Sequence, residues 1–405
     1  MNPRLALLHP YPFEKLRELL AGATPPAQSR PINLSIGEPQ HPTPALVKDA
    51  LTAGLESLSR YPLTRGLPEL RSVLAQWIAR RHGTAIDPET EILPVAGSRE
   101  ALFAIAQTIL DPLEADALVV CPNPFYQIYE GAALLAGAQP WYVNLLAANA
   151  FRPDWDAVPE SAWKRTRLAF VCSPNNPNGR VMPLAEWKQL FELSDRYGFV
   201  IVSDECYSEI YFDGSSPPLG ALAAAHQLGR KGFPRLVTMG SLSKRSNVPG
   251  LRSGFAAGDR AIIDRFALYR TYHGAAVSNA VQLASIAAWR DEAHVAENRR
   301  LYRKKFAAFF EQVNPALPLS RPEAAFYYWV AVPGGDDTAF TRDLFAATHV
   351  TVLPGSFLSR EAHGVNPGRG FVRMALVSTV EESVEAARRI AEFAQCRNSS
   401  TSSIA

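Results

Sequence analysis

Short, mostly apolar runs alternate with helically spaced apolar positions through the middle of the chain. The runs at 117–121, 168–172, 199–203, 236–239 and 255–257 are apolar almost throughout, as expected of strands covered on both faces. Between them, 126–135, 184–197 and a segment from Ala261 carry apolar residues at helical spacing. The alternation predicts an α/β fold with a mostly parallel sheet sandwiched by helices. Upstream, helices are predicted at 13–20, after Pro44 (Leu46, Val47, Ala50, Leu51 and Leu55 on one face) and at 68–81 (Leu70, Val73, Leu74, Trp77). Ile32 to Pro39 reads as an extended segment ending in a turn, and 60–66 as a loop. Val95 to Glu100 reads as a turn entering a helix that runs to about Leu110, with Ser98 as its N-cap.

Beyond residue 280 the pattern changes. A long helix is predicted over 281–310, with Arg299, Arg300, Arg303, Lys304 and Lys305 on its solvated face. Strands at 326–332, 350–353 and 371–376 and helices at 338–347 and 380–396 make a smaller α+β unit. The serine-rich tail, 397–405, is expected to be disordered. The pattern divides the chain into a large α/β domain, 46–288, and a small domain built from 1–45 and 289–405.

Composition changes this picture little. The 405 residues are 47% apolar and 20% charged, with a formal net charge of +2, which gives no electrostatic case for nucleic acid or an anionic membrane. No apolar run reaches the roughly 18 residues a membrane helix needs, and the start of the chain lacks a signal-peptide pattern, so a cytoplasmic protein is expected. Cys121, Cys172, Cys206 and Cys396 are far apart and form no CxxC. They read as reduced thiols, with neither disulfide nor metal chemistry expected.

The candidate chemistry lies in four polar turns, where open sheets of this kind place ligands. Gly97-Ser98-Arg99 opens a helix, whose free N–H groups suit a phosphate. Ser173 to Gly179 is an asparagine-rich loop after a strand, either an ordinary turn or a set of ligand contacts. Asp204 ends another strand. It either caps a turn or meets a cation, because a buried carboxylate needs a partner. Ser241-Leu242-Ser243-Lys244, followed by Arg252, sets an amine beside two hydroxyls and a guanidinium. This is either a polar surface loop or the lysine and phosphate grip that pyridoxal phosphate requires.

Taken in order, the four turns resemble those of the fold-type I pyridoxal phosphate enzymes, in particular the class I/II aminotransferases, from about Ile32 to Leu376. The resemblance implies that Lys244 is the Schiff-base lysine and that Asp204 bonds the pyridine nitrogen. Asn176 and Tyr207 would bond the cofactor's phenolic oxygen. Gly97, Ser98, Arg99 (through its backbone), Ser241, Ser243 and Arg252 would hold the phosphate, and Tyr126 would stack on the ring. Tyr61 would reach a neighbouring subunit's phosphate in a homodimer. Arg373 would grip the substrate α-carboxylate, with Gly37 and Asn176 beside it. A planar guanidinium suits a carboxylate because it binds it with two bonds.

A finer resemblance, to the N-succinyl-LL-diaminopimelate aminotransferases of bacterial lysine synthesis, rests on His9-Pro10-Tyr11-Pro12-Phe13-Glu14-Lys15-Leu16, on Ser243 to Gly250, and on Arg270-Thr271-Tyr272-His273-Gly274. It implies ping-pong transfer of an amino group to 2-oxoglutarate. Arg65, Arg99 and Arg369 are candidates for holding the donor's far end. Other donors (acetylornithine, aspartate or an aromatic amino acid) and a β-lyase on the same fold remain alternatives. A regulator is disfavoured, because it would carry a long DNA-binding domain before a pattern that here starts near Ile32. A nicotinamide-dependent dehydrogenase is disfavoured because no GxGxxG follows a strand.

Overall fold

The computed structural model describes residues 1–402 apart from 115 and 215, with side chains described to residue 397. In chain order the strands are β1 (Ile32–Asn33), β2 (Ile92–Val95), β3 (Leu118–Asn123), β4 (Gln139–Asn144), β5 (Thr166–Cys172), β6 (Val200–Asp204), β7 (Leu236–Ser241), β8 (Gly254–Gly258), β9 (Tyr327–Ala331), β10 (Val350–Thr351), β11 (Leu353–Pro354) and β12 (Phe371–Ala375). Seven of them form the central sheet, in the order β2-β8-β7-β6-β5-β3-β4. All neighbours are parallel except those of β8, which runs against both β2 and β7.

Strand side chains alternate between two helical layers. Leu118, Val120, Ala169, Val171, Ile201 and Leu236 pack with helices Pro68–His82, Leu184–Tyr197 and Asn279–Arg290. Val119, Cys121, Leu168, Phe170, Val202 and Val237 pack with Ser98–Ile109, Ile128–Leu135 and Arg260–His273. Both faces of the sheet are therefore covered, which is why the strands read as continuous apolar runs. A further core joins helices Ala293–Val313 and Val380–Ser402 to β9 and β12. β1 pairs with β10, which ties the N-terminal segment to the C-terminal unit.

The structure corrects several expectations. The single helix over 281–310 is two, Asn279–Arg290 and Ala293–Val313. Asp291 between them is extended, and its carboxylate accepts from the His294 amide at 2.9 Å, starting the second helix. The basic run is not wholly solvated: Lys305 is fully buried and donates to the Ser378 carbonyl at 2.8 Å, while Arg299 pairs with buried Glu209 at 3.2 Å. Val95, expected in a turn, ends β2. The edge strand β4 escapes the sequence pattern, because its polar and partly exposed residues carry no continuous apolar signal. The last helix runs to Ser402, through the first part of the tail expected to be disordered. Residues 403–405 lie outside the described residues. Among the described residues, no helix is long and apolar enough to cross a membrane.

Candidate active site

The parallel strands end on one edge of the sheet, and the segments that follow them meet there. β6 ends at Asp204, β7 leads into Lys244, β5 into the loop of Asn176 and β3 into Tyr126. β8 is antiparallel, so its first residues arrive at the same edge and bring Arg252 with them. β2 ends just before Gly97 and the helix Ser98–Ile109. A cavity of about 450 Å3 opens at this edge. Gly37, Ser98, Arg99, Tyr126, Asn176, Asp204, Tyr207, Ser241, Ser243, Lys244, Arg252 and Arg373, all singled out from the sequence, line it.

Lys244 is half-buried, and its Nζ donates to the Gly37 carbonyl at 2.6 Å. Burial holds its pKa below the ordinary lysine value; Arg373 and Arg252 push the same way, while Cys206 and Glu38 oppose them. Asp204 accepts from the Tyr129 hydroxyl at 2.8 Å and from the Cys206 amide at 3.3 Å. Burial pushes its pKa up, and these hydrogen bonds oppose burial more than Lys244 does. The Tyr207 and Tyr327 hydroxyls lie 2.9 Å apart, and burial raises the pKa of both, most clearly that of Tyr207.

Arg373 is buried. Its Nη1 donates to Asn176 Oδ1 and its Nη2 to the Ser35 carbonyl, both at 2.8 Å. Its Nε has no partner among the described residues, and both acceptors are neutral. A guanidinium held this way retains its full charge and calls for an anion. Gly37 must be a glycine by close approach, since a Cβ there would lie 2.1 Å from the Tyr327 hydroxyl.

Gly97, not Ser98, is the N-cap of helix Ser98–Ile109; its φ of 84° is one that glycine adopts freely, and no side chain caps the helix. A Cβ at Gly97 would lie 2.4 Å from Arg252 Nη2. Arg252 donates to the Pro249 carbonyl at 2.9 Å, and Ser241 and Ser243 sit 3.0 Å apart, oxygen to oxygen. Helix N–H groups, two hydroxyls and a guanidinium thus line one cavity, a donor set for a dianionic phosphate. Asp204 lines the same cavity, pairs with no arginine or lysine side chain among its hydrogen bonds, and fits a protonated ring nitrogen.

Of the expected cofactor and substrate residues, Gly97 does not itself line the cavity but turns the chain into Ser98, and Tyr61 lies away from it. Tyr61 is 100% exposed and lies in a separate surface depression with Ser57, Arg60 and Ser278. Of the three arginines considered for the far end of the substrate, only Arg99 lines the cavity; Arg65 pairs with Asp264 at 2.5 Å, and Arg369 is exposed on a loop. Arg99 donates to the Tyr126 and Tyr11 hydroxyls, each at 2.7 Å. Tyr11, Tyr129, Cys206 and Tyr327 also line the cavity, and the sequence pattern does not mark them as site residues. Tyr129 is legible as the residue one helical turn after Tyr126; Tyr327 sits on a strand whose sequence is aromatic on both faces, which hides it.

An amine, a buried carboxylate and a phosphate cradle gathered on an α/β sheet edge define the class as pyridoxal phosphate enzymes, and comparison with known proteins places the chain within it. The model of the family described as aminotransferase class I and II matches residues 29–390, and the chain belongs to that family, which is pyridoxal phosphate-dependent. It is 32% identical over 400 residues to the LL-diaminopimelate aminotransferase of Dehalococcoides mccartyi strain 195, covering 97% of this chain and 98% of that one. The crystal structure of an aminotransferase from Neisseria meningitidis Z2491 shares 54% identity at a TM-score of 0.93, over 97% of this chain and 100% of that one. A Thermus thermophilus structure, described as a probable N-succinyldiaminopimelate aminotransferase, shares 29% identity at a TM-score of 0.82, over 94% of this chain and 99% of that one.

Proposed function

We propose that the enzyme transfers the amino group of N-succinyl-LL-2,6-diaminopimelate to 2-oxoglutarate, reversibly and by a ping-pong mechanism, in the cytoplasm, as a step of lysine synthesis. The observation that carries this reading is Arg99. Its guanidinium lines the cavity and is held by two neutral phenols, so its charge stays available to a ligand. With Arg373, Arg252 and Lys244 it makes the lining strongly cationic against Glu38 and Asp204. The succinylated donor presents two carboxylates at its far end, whereas the free diamino acid presents an ammonium and a carboxylate. The first suits the cationic lining better. The diaminopimelate skeleton itself is supported by the Dehalococcoides relative and the Thermus structure.

When bound, pyridoxal phosphate supplies the carbonyl that takes up the substrate amine and the conjugated ring that accepts electrons as the Cα–H bond breaks. The chain does the rest. Ser98, the Arg99 backbone N–H, Ser241, Ser243 and Arg252 hold the phosphate at the Gly97 turn, and Tyr126 packs on the ring. Asp204 keeps a proton on the ring nitrogen, while Asn176 and Tyr207 hold the phenolic oxygen. Arg373, oriented by Asn176 and Ser35, grips the α-carboxylate. Lys244, its pKa lowered by burial, would take the α-proton from the substrate and give it back at the cofactor's C4′, across the substrate nitrogen. Tyr61 and Leu63 are exposed on the loop that follows the short helix Leu55–Ser59, whose Leu58 is exposed too, which supports a twofold homodimer in which Tyr61 reaches the partner's phosphate.

The test compares kcat/KM for the succinylated donor, free LL-diaminopimelate, N-acetylornithine and aspartate, each with 2-oxoglutarate. The succinylated donor should lead the free diamino acid by about 10- to 100-fold, the scale of one or two charge-assisted bonds left unmade. A lead for free LL-diaminopimelate moves the assignment to the relatives' substrate. Parity with N-acetylornithine makes the site a general acyl-amino-acid pocket, and pyruvate with ammonia released from a β-substituted donor makes the enzyme a lyase.

A further inference from the structure

The residues after the lysine, Arg245-Ser246-Asn247, take no part in the cavity. They clip the lysine turn to the junction between helices Asn279–Arg290 and Ala293–Val313. Arg245 is buried over the face of Trp289, 4.6 Å from its ring centroid, and donates to the Ala288 carbonyl at 2.7 Å and to Glu292 at 2.7 Å. Ser246 Oγ lies 2.8 Å from His294 Nε2. Asn247 Nδ2 donates to Asn298 Oδ1 at 3.1 Å.

Asn298 is the centre of this clip. It is 2% exposed on helix Ala293–Val313. Its amide nitrogen donates to the Lys244 carbonyl at 3.3 Å and to the Arg245 carbonyl at 3.5 Å. Its oxygen accepts from Asn247 and, at 2.7 Å, from His41 Nδ1. An asparagine amide has two donor hydrogens and two acceptor lone pairs, so every valence is in use and the amide can face only one way. His41 belongs to the strap that carries Gly37, and the Gly37 carbonyl is where the Lys244 amine rests. The bonds close a ring: Gly37 to the Lys244 amine, the Lys244 carbonyl to Asn298, Asn298 to His41, and back along the strap to Gly37.

We propose that Asn298 is a positioning residue for transamination, fixing the backbone of Lys244 relative to the Gly37 strap so that the amine stays in reach of the substrate α-carbon. The inference rests on Lys244 being the group that moves the α-proton. Asn298 touches neither the cofactor cradle nor Arg373, so its loss should affect turnover rather than binding. Misplacing a reacting group by about 1 Å costs roughly 100-fold.

The test measures kcat per cofactor-loaded site, donor KM and the pyridoxal phosphate dissociation constant for Asn298→Ala, His41→Ala and His41→Gln. Asn298→Ala should lose about 10- to 100-fold in kcat, with KM and cofactor affinity within about threefold. His41→Ala should lose turnover in the same sense, and His41→Gln, whose amide can still donate to Asn298 Oδ1, should restore it. A purely structural role would lower the melting temperature and leave kcat per loaded site at the wild-type value, and that result overturns the proposal. If Asn298→Ala does not fold, the His41 pair decides: equal turnover in His41→Ala and wild type also overturns it. Lys244→Ala is run separately. Transamination surviving there removes the role given to Lys244, whereas its loss beside an unaffected Asn298→Ala removes only this inference.

Discussion

Asp204→Asn should act in opposite directions on the empty and the loaded protein. Asp204 is 2% exposed, and its carboxylate receives a hydroxyl at 2.8 Å and an amide at 3.3 Å. A carboxylate offers about four acceptor sites, so part of a buried charge is left unmet. Burial raises its folded-state pKa. A raised carboxyl pKa means the unfolded chain ionises first, so stability of the empty protein falls as pH rises from the ordinary aspartate value, about 3.9, through the folded value. The neutral amide removes that penalty, worth about 1–3 kcal/mol for an incompletely satisfied buried group. For 405 residues, at about 2.1 cal/mol/K each, this raises the melting temperature near neutral pH by roughly 1–4 °C. With pyridoxal phosphate present, the variant lacks the anion that meets the ring nitrogen. Losing one charge-assisted bond of about 1.5–3 kcal/mol weakens binding roughly 10- to 150-fold, and transamination falls by orders of magnitude. Thermal melts with and without cofactor, together with a cofactor titration, read both effects. A variant that melts lower when empty and binds the cofactor as tightly as wild type would falsify this account and leave Asp204 as a turn cap.

Two further changes probe other parts of the structure. Gly97→Ala forces a side chain into positive φ, costing about 1–2 kcal/mol, and sets its Cβ against the Arg252 guanidinium; pyridoxal phosphate should bind at least about tenfold more weakly while phosphate-free pyridoxal is unaffected, and equal weakening of both refutes the phosphate role. Lys305, pushed down to about 7 by burial, makes stability rise with pH between that value and the ordinary lysine value of 10.5, because the unfolded chain holds the proton longer. Lys305→Met should flatten the rise in melting temperature across that window, and an unchanged slope places its origin elsewhere.

The strands are readable because helices cover both faces of the sheet, so each of them carries a near-continuous apolar run rather than an alternating one. β4 shows the converse: at the sheet edge, with polar and partly exposed residues, it leaves no such run. The site turns are readable because each follows a strand and carries a residue type with one evident use, as Asp204 and Lys244 do. Tyr11 and Tyr327 are not, because their place at the cavity depends on how distant segments meet. The burial of Lys305 has the same origin: its helix packs along Val380–Ser402, and local periodicity does not tell which face that neighbour covers.

The sequence alone determined the α/β class, the order of the polar turns and the chemistry each can offer, since these depend on local periodicity and on the kind of side chain at each turn. Only the tertiary structure decided which of those side chains share one cavity, that Arg99 rather than Arg65 or Arg369 faces it, and that Gly97 rather than Ser98 caps the helix there. It also decided that Arg245, Ser246 and Asn247 turn away from the cavity to clip the lysine turn to Asn298. The antiparallel entry of β8, which carries Arg252 to the edge where the parallel strands end, belongs to the same group. Such outcomes depend on contacts between residues far apart in the chain, and no local pattern encodes them.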